Sequence, residues 1–390
     1  MPANTCLVFM ARIPLKLVVL AAVVLFGITV VFLEAPILGS NRKLSSAISS
    51  ATSKRDIVQD TQNSTLGFGA IVLLSLPART DRQDTISLLA AHTNLTITAT
   101  IPGVLSDDVD HKAYPYGAGR KKFESKKFYP YLGSWRGHMN LFRYIVDNRI
   151  ETALILEDDL DWDVHIKAQF QALSQALRES DLRKPFSEHE LAHAPYGLDW
   201  DMMHFACSQV HIAKPPRDRV FTKYVDENRA PSRAAKTLCN PYGYFCWDGL
   251  MEHAKLEDNE RVIYPTFESV GLSAFAVTYT GAQRLLYQLS YKELVDTLDR
   301  SIAHLFMTEA LRGWTIIPPI MGEFKIDGAQ DTNLNANVGK LPDRKSNLQG
   351  HGPALRNSVR ESLVSTWDDK GSSYWTAELK SWEKYSKQEL

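Results

Sequence analysis

A short run of carboxylates is the part of this sequence whose residue types most clearly indicate chemistry. Four apolar residues at 153–156 are followed by five carboxylates within the seven positions 157–163. Neighbouring carboxylates repel one another, so such a cluster is stabilised when a cation neutralises it. Oxygen ligands suit hard divalent ions such as Mg²⁺, Mn²⁺ and Ca²⁺. Because open α/β sheets usually bind ligands at the carboxyl ends of strands, the run predicts a cation site where a buried strand ends.

Strand-like and helical segments alternate on both sides of this run. The apolar segment 68–76 is bounded by glycine and proline, which is typical of a buried strand. The other predicted strands are 95–101, 201–206, 271–279 and 314–317, and the predicted helices are 80–91, 135–148, 164–178 and 281–289, the last capped by Thr280. This alternation predicts an α/β sheet that is covered by helices on both faces.

The N-terminal region predicts attachment to a membrane. Residues 17–33 contain no charged or amide side chain, and they span roughly 25 Å of a hydrocarbon core about 30 Å thick. A cleaved signal peptide is the alternative, although this apolar run is longer than an ordinary signal core. We expect a cytosolic tail at 1–16, a transmembrane signal anchor at 17–33 and a polar stem or linker at 34–66.

Sequons, cysteines and net charge are consistent with a domain in the secretory lumen. Asn63 and Asn94 each begin an acceptor sequon for N-glycosylation. Cys239 and Cys246 flank the turn-rich segment 240–243 and are the expected disulfide pair. The formal net charge of −1 gives no argument for a nucleic-acid partner, and none is expected.

The acidic run also resembles the start of a calcium-binding EF-hand loop. Such a loop beginning at Asp159 needs glycine at its sixth position and glutamate at its twelfth. Val164 and Phe170 occupy these two positions. The calcium-loop interpretation is therefore rejected.

A second motif, His189-Glu190-Leu191-Ala192-His193, spells the HExxH signature of zinc proteases. Pro185 and Pro195 confine its helix to about nine residues. Ser187 and Glu190 also have the spacing of a capping box, which gives the glutamate a structural role. A short capped surface helix is favoured, and a membrane-anchored zinc metalloprotease is kept as an alternative.

Five segments, taken in order, resemble motifs of one enzyme family. They are Leu74-Ser-Leu-Pro-Ala-Arg79-Thr-Asp-Arg82, Pro102-Gly103, Gly133-Ser-Trp-Arg-Gly137-His138, Leu154-Ile-Leu-Glu157-Asp158-Asp159 and Phe275-Ala-Val-Thr-Tyr-Thr-Gly281-Ala-Gln-Arg-Leu-Leu286. The chain thereby resembles glycosyltransferase family 25, the lipooligosaccharide and collagen galactosyltransferase family, and in particular its fungal members. It departs from the family pattern at Ser75, where asparagine is usual, and at 204–207, where fungal relatives tend to have a glycine-histidine-cysteine segment.

The resemblance implies a GT-A-like, Rossmann-like mixed sheet, with a catalytic domain at 67–332 and a C-terminal extension at 333–390. It implies an inverting transfer of a hexose, with galactose favoured, from a UDP-sugar to a glycan or glycoprotein hydroxyl. With the predicted anchor, it implies a single-pass type II protein of Golgi or other secretory-pathway membranes. A sugar- or metal-binding domain that has lost transfer activity is the non-enzyme alternative.

The resemblance also assigns roles to individual residues. The family's metal motif falls on Glu157, Asp158 and Asp159, and in this sequence Asp159-Leu160-Asp161 also spells a DxD motif. Glu157, Asp159 and Asp161 are the candidate ligands of Mn²⁺ or Mg²⁺, and the pair that contacts the ion is left open. Arg79, Arg82 and Asp158 are the candidate residues for binding the nucleotide-sugar. Asp299 is the candidate base that accepts the proton of the acceptor hydroxyl. Asp331 and Glu323 are the alternatives for this base.

Overall fold

The computed structural model describes residues 56–207, 209–230, 248–326, 333, 350–351 and 355–369. The predicted tail at 1–16, the transmembrane anchor at 17–33, most of the stem at 34–66, and Cys239, Cys246 and Asp331 lie outside these ranges. None of the helices in the described ranges is both long enough and apolar enough to cross a bilayer.

The described part of the chain contains both strands and helices throughout its length. The strands are β1 Ala70–Ser75, β2 Ala99–Pro102, β3 Thr152–Glu157, β4 Leu160–Trp162, β5 Met202–Ala206, β6 Gln209–His211, β7 Thr222–Val225, β8 Glu260–Pro265, β9 Glu268–Val270, β10 Ala274–Thr278, β11 Gly313–Ile317, β12 Met321–Glu323, β13 Lys325–Ile326 and β14 Gly350–His351. The α-helices are α1 Thr80–His92, α2 Ala118–Phe123, α3 Pro130–Asp147, α4 Ile166–Glu179, α5 Glu188–His193, α6 Asp248–His253, α7 Tyr279–Leu286, α8 Leu298–Met307 and α9 Val359–Val364. Short 3₁₀-helices at Ile57–Gln62, Ser106–Asp108, His111–Ala113 and Arg217–Arg219, and π-helical turns at Tyr287–Lys292 and Ser365–Asp369, complete the described elements.

Eight of these strands form one sheet, in the order β2-β1-β3-β10-β5-β11-β8-β7. Strands β2, β1 and β3 are mutually parallel. Strand β10 runs antiparallel to β3 and β5, and β11 is parallel to β5. Strands β8 and β7 add two further antiparallel pairings. The predicted α/β fold, a mixed sheet flanked by helices, is confirmed and fits a Rossmann-like architecture.

Strand β1 shows how the sheet divides the core into two layers. All six of its residues are buried. Ile71 and Leu73 belong to the cluster that contains the apolar residues of α1 and α4. Val72 and Leu74 belong to the cluster that contains those of α3 and α8. Because successive side chains of a strand point to opposite faces, a strand covered on both sides is apolar along nearly its whole length, as β1 is from Ala70 to Leu74.

Several predicted boundaries differ from the structure by a few residues, and two of these differences have a clear local reason. The second strand starts at Ala99, four residues later than predicted, because the chain first turns at Asn94, whose φ is 53°, and Leu95 N–H then bonds to the Ala90 carbonyl at the end of α1. Helix α7 is capped by Thr278, whose hydroxyl accepts a hydrogen bond from Gly281 N–H at 3.0 Å, and not by Thr280.

Helix α3 begins against the loop that follows β2. A Cβ atom on Gly133 would lie 2.3 Å from the Val104 carbonyl oxygen, so only glycine permits this approach. The Gly133 N–H also donates to the Ser106 hydroxyl at 3.0 Å. The loop after β2 and the first turns of α3 are therefore held side by side at the carboxyl edge of the sheet.

Segments from the predicted stem and extension pack on this domain. In the 3₁₀-helix at Ile57–Gln62, Ile57 and Thr61 are buried, and Gln62 donates to the Lys167 carbonyl of α4 at 3.0 Å. Helix α9, within the predicted extension, contributes the fully buried Val359 to the same core layer as α4. The folded unit thus includes chain on both sides of the predicted catalytic domain.

His204 lies in the middle of β5 and is fully buried. Neither ring nitrogen of His204 has a hydrogen-bond partner among the described residues. Burial lowers the pKa of His204 to about 3 from an ordinary value of 6.5. The folded protein therefore holds the ring neutral at a pH where the unfolded chain protonates it.

We expect His204→Phe to weaken the dependence of stability on pH. Between the two pKa values the unfolded chain binds more protons, so stability is present above pH 6.5 and is lost as the pH falls. From about pH 7 to about pH 5, the unfolding free energy of the native chain should fall by about 2 kcal/mol more than that of the variant. Urea unfolding of both proteins at the two pH values measures the difference, and equal losses would contradict it. His138, the other deeply buried histidine in the described ranges, is present in both proteins, so its contribution to the pH dependence of stability is the same in each.

Candidate active site

An open cleft of about 540 Å³ lies at the carboxyl ends of β1 and β3. Ser75 at the end of β1 and Glu157 at the end of β3 both line it. The loop after β2, the first half of α3, the residues before β10 and the start of α8 supply the other walls. These strands are parallel, so their carboxyl ends meet at one edge of the sheet, as expected for a ligand site in such a fold.

Six of the seven site residues predicted from the sequence line this one cleft. They are Arg79, Arg82, Glu157, Asp158, Asp159 and Asp299. Glu323, an alternative for the base, also lines it. Asp161 is not among the lining residues.

Asp161 points away from the cleft and holds the C-terminal segment. It is 1% exposed. Its Oδ2 accepts a hydrogen bond from the Ser358 hydroxyl at 2.5 Å, and its Oδ1 accepts from Trp162 N–H at 2.8 Å. Burial raises the pKa of Asp161, and the hydrogen bond from Ser358 opposes that rise. The geometry thus gives this carboxylate a structural position between β4 and the residues that precede α9.

Asp163 continues the same structural role. Its Oδ1 accepts from His165 N–H at 2.8 Å, just before α4 begins. Its Oδ2 accepts from Asn357 N–H at 2.7 Å. Asp163 is therefore a structural carboxylate at the start of α4, where an acidic side chain is favourable.

Asp158 is the carboxylate that holds Arg82. Arg82 Nη1 lies 2.5 Å from Asp158 Oδ1 and 3.5 Å from Asp159 Oδ2. The Ser75 hydroxyl donates to Asp158 Oδ2 at 2.7 Å. Burial raises the pKa of Asp158, and the charge of Arg82 acts in the opposite direction. The serine that departs from the family pattern therefore bonds directly to the acidic motif.

We expect Asp158→Ala to destabilise the fold as well as the site. It would remove the carboxylate that lies 2.5 Å from the guanidinium of Arg82, a side chain that is 13% exposed, and Asp159 lies farther away at 3.5 Å. Breaking a buried ion pair from one side costs about 3 to 5 kcal/mol, and the partial exposure of Arg82 reduces the expected loss of unfolding free energy to about 2 to 3 kcal/mol. Urea unfolding checks the value. Recovery of stability in an Asp158→Ala, Arg82→Met double variant is the matched control, and no recovery would contradict the cause.

Arg79 lies at the rim of the cleft. Its Nε and Nη2 donate to the two carboxylate oxygens of Asp81, both at 3.0 Å. Its Nη1 donates to Asn333 Oδ1 at 3.2 Å. The fork to Asp81 fixes the guanidinium plane, so Arg79 presents a positioned positive charge to the cleft.

Asp299 occupies the first turn of α8. Its Oδ1 accepts from the Thr297 hydroxyl and from Arg300 N–H, both at 2.8 Å. Glu323, at the end of β12, accepts from the Ser273 hydroxyl at 2.5 Å. Both carboxylates therefore reach the cleft from segments distant in sequence from the acidic run.

His138 is a cleft residue to which sequence reasoning gave no role. It is 1% exposed, and its Nδ1 lies 2.9 Å from the Ser134 carbonyl oxygen. Burial lowers its pKa to about 4, so the ring is neutral near pH 7. The glycine-and-histidine segment was the available signal, because it matched a family motif without an assigned function.

Tyrosine and aspartate form the outer rim of the cleft. The Tyr129 hydroxyl donates to Asp107 Oδ1 at 2.8 Å. This hydrogen bond raises the pKa of Tyr129 to about 12, so the phenol stays protonated. Asp107 and Tyr129 were not predicted as site residues, since they lie in a long loop without a motif.

The cleft has an excess of negative charge. Its lining carries six carboxylates and two guanidinium groups, the carboxylates being Asp107, Glu157, Asp158, Asp159, Asp299 and Glu323. Within the described ranges, no three His, Cys, Asp or Glu side chains are arranged to hold a metal ion by themselves. Mg²⁺-type ions are commonly held by one or two carboxylates together with substrate phosphates. The oxygen-rich lining fits an open site of that kind.

The HExxH segment has a geometry that does not suit a zinc protease. Helix α5 begins with the predicted capping box. The Ser187 hydroxyl accepts a hydrogen bond from Glu190 N–H, and Glu190 Oε2 accepts one from Ser187 N–H at 2.8 Å. Glu190 Oε1 accepts from Arg183 and from Leu198 N–H, both at 2.7 Å. These bonds lower the pKa of Glu190 to about 2 against the effect of burial. Both oxygens of the glutamate are thus committed to structural hydrogen bonds.

Comparison with known proteins gives one weak line of similarity. No family model matches the chain. A stretch of 86 residues is 26% identical to procollagen galactosyltransferase 1 of Danio rerio and covers 22% of this chain and 12% of that protein. The match therefore spans much less than two thirds of that relative, and it indicates a distant, glycosyltransferase-like relationship.

Proposed function

We propose that this protein is an inverting, divalent-cation-dependent glycosyltransferase. It moves a hexose, with galactose favoured, from a UDP-sugar to a hydroxyl of a glycan or glycoprotein. The observation that carries the proposal is the cleft at the carboxyl ends of β1 and β3, where carboxylates and two arginines lie together. The distant similarity to a galactosyltransferase supports a sugar donor and a glycan acceptor.

The charge of the cleft supports a cation. A UDP-sugar brings two negative phosphates to a surface that already has more carboxylates than guanidinium groups. Glu157 and Asp159, which line the cleft, would hold Mn²⁺ or Mg²⁺. Asp158 holds Arg82 and accepts from Ser75, and Asp161 bonds to Ser358 of the C-terminal segment. When bound, the ion neutralises charge on the departing diphosphate.

The side chains of the cleft have distinct tasks in this mechanism. Arg79 and Arg82 face the diphosphate and hold it by charge-assisted hydrogen bonds. The acceptor oxygen forms its bond to the anomeric carbon of the sugar while the bond from that carbon to the UDP oxygen breaks. Asp299 accepts the proton of the acceptor hydroxyl, and the electron pair of the broken bond leaves on UDP. A single displacement of this kind inverts the anomeric centre.

A donor panel tests the proposal directly. The purified full-length chain is incubated with individual UDP-hexoses and a mixed glycan acceptor, and release of UDP is measured with Mn²⁺ and with EDTA. We expect release with one donor, dependence on Mn²⁺, and recovery when Mn²⁺ is restored. Turnover of no donor would overturn the proposal, and turnover unaffected by EDTA would remove the cation from it.

We propose the secretory pathway, and the Golgi in particular, as the location. The proposal depends on the predicted anchor at 17–33, and the two sequons are consistent with it. Asn63 and Asn94 are both exposed to solvent, as the attachment of a glycan requires. A mass shift on glycosidase treatment of the chain expressed in a eukaryotic cell, absent in an Asn63→Gln, Asn94→Gln variant, is the expected result.

A further inference from the structure

The imidazole of His138, a residue that lines the cleft, has an unused hydrogen-bond acceptor. Its Nδ1 lies 2.9 Å from the Ser134 carbonyl oxygen. A carbonyl oxygen only accepts hydrogen bonds, so Nδ1 carries the proton of the neutral ring. Nε2 is then an acceptor, and no described residue donates a hydrogen bond to it. A buried polar atom in this state is costly unless a ligand supplies its partner.

The nearest charged group cannot supply that partner. Glu157 Oε1 lies 3.7 Å from His138 Nε2, beyond hydrogen-bond distance. An ionised carboxylate is also an acceptor only, so neither atom has a proton to share. Glu157 therefore leaves the acceptor of His138 without a donor among the described residues.

The ring is fixed in this orientation by its surroundings. It packs against Phe142 and Phe275 with ring-centroid distances of 6.3 and 6.1 Å. The bond from Nδ1 to the preceding turn of α3 fixes the direction of Nε2. His138 therefore cannot turn its acceptor into bulk water while the packing of α3 against the sheet is intact.

We propose that His138 is a specificity-determining residue whose Nε2 accepts a hydrogen bond from a hydroxyl of the transferred sugar. This inference rests on the proposed function and adds a requirement for the donor. The cleft places His138 together with Glu157 and Asp299, the groups assigned to the donor side and to the base. A hydroxyl between them satisfies an acceptor that is otherwise buried and unpaired.

The consequence is strong selection for that hydroxyl. A site built to hydrogen-bond a substrate hydroxyl rejects an analogue that lacks it, because the buried partner is left unpaired. We expect one monodeoxy donor to lose at least about 10²-fold in kcat/KM relative to the parent UDP-hexose. The other monodeoxy donors should lose much less.

The test combines the monodeoxy donors with His138→Phe. In this variant the aromatic ring is kept and the acceptor is removed, so the same deoxy donor should fall within about 3-fold of the parent sugar. Affinity for UDP alone should be unchanged, since UDP lacks the sugar. His138→Gln, which restores a polar group near the position of Nε2, should recover part of the discrimination. It also provides a second variant if the phenylalanine is not tolerated.

His204→Phe is the matched control. His204 is equally buried and lacks a described hydrogen-bond partner, but it does not line the cleft. This control should keep the deoxy discrimination of the native chain. Discrimination that persists in His138→Phe would overturn the inference and leave the proposed function standing. Loss of Mn²⁺ affinity in His138→Phe, with discrimination unchanged, would overturn it in favour of a metal ligand. Turnover of no nucleotide-sugar by the native chain would overturn both.

Discussion

Replacing Asp159 by asparagine is expected to lower kcat/KM for sugar transfer by about 10²- to 10³-fold, the range found when a preorganised charge is removed from a transition state. Asp159 lies in the cleft, beside Arg82 at 3.5 Å. Its main-chain carbonyl is held by Phe324 N–H at 2.6 Å, so the substitution leaves the backbone anchored. The loss should therefore appear in catalysis and in Mn²⁺ affinity, with little change in stability.

Asp161→Asn is the paired variant, and it should behave in the opposite way. The Asp161 carboxylate accepts hydrogen bonds from the Ser358 hydroxyl and from Trp162 N–H, and Asp161 does not line the cleft. We expect a loss of about 2 kcal/mol in unfolding free energy. We also expect kcat/KM to stay within about 3-fold of the native value under conditions where both proteins are folded.

The two variants separate the carboxylates of one Asp-Leu-Asp sequence. Steady-state kinetics and urea unfolding are measured on the same preparations, and Mn²⁺ binding is followed by electron paramagnetic resonance. Equal losses of activity in both folded variants would contradict the division between catalytic and structural carboxylates. An active Asp159→Asn protein would contradict the assignment of Asp159 itself.

The reason why sequence could not separate these two residues lies in long-range pairing. The local pattern predicted that a buried strand delivers carboxylates at its end, and β3 does so with Glu157. Strand β4 then pairs with β12, placing Asp161 opposite Gly322. Its side-chain partner, Ser358, is 197 residues away. The sequence of the acidic run contains no local signal for a hydrogen-bond partner that lies so far along the chain.

For the fold as well, elements with local sequence signals were predicted, and elements that depend on distant contacts were not. Strands such as β1 and β10 were predicted because apolar residues and flanking turns are local signals. Strands β7 and β8 were missed, since Thr222–Val225 and Glu260–Pro265 include charged residues and lie at one edge of the sheet. The capping box at Ser187 was predicted correctly because its two members are only three residues apart. The position of His138, in contrast, depends on the folded cleft, where its Nε2 lies 3.7 Å from Glu157 Oε1.

Asp299→Asn is expected to lower kcat by about 10²- to 10⁴-fold, the usual contribution of a general base. Its carboxylate reaches the cleft from the first turn of α8, where Thr297 and Arg300 N–H hold one oxygen and leave the other to accept a proton. Asparagine keeps the shape and the hydrogen-bond acceptor but cannot take up the proton. The affinity for the UDP-sugar should therefore change little, so the loss falls on kcat and not on donor binding.

Glu323→Gln is the comparison that makes this assignment testable. Glu323 lines the same cleft, and its Oε1 accepts from Ser273 at 2.5 Å. If Asp299 is the base, Glu323→Gln should keep kcat within about 10-fold of the native chain, because it alters positioning and not proton transfer. A larger loss in Glu323→Gln than in Asp299→Asn would move the base to Glu323. Asp299→Glu, which restores a carboxylate on a longer side chain, should recover part of the activity that Asp299→Asn loses, since a displaced base still accepts a proton.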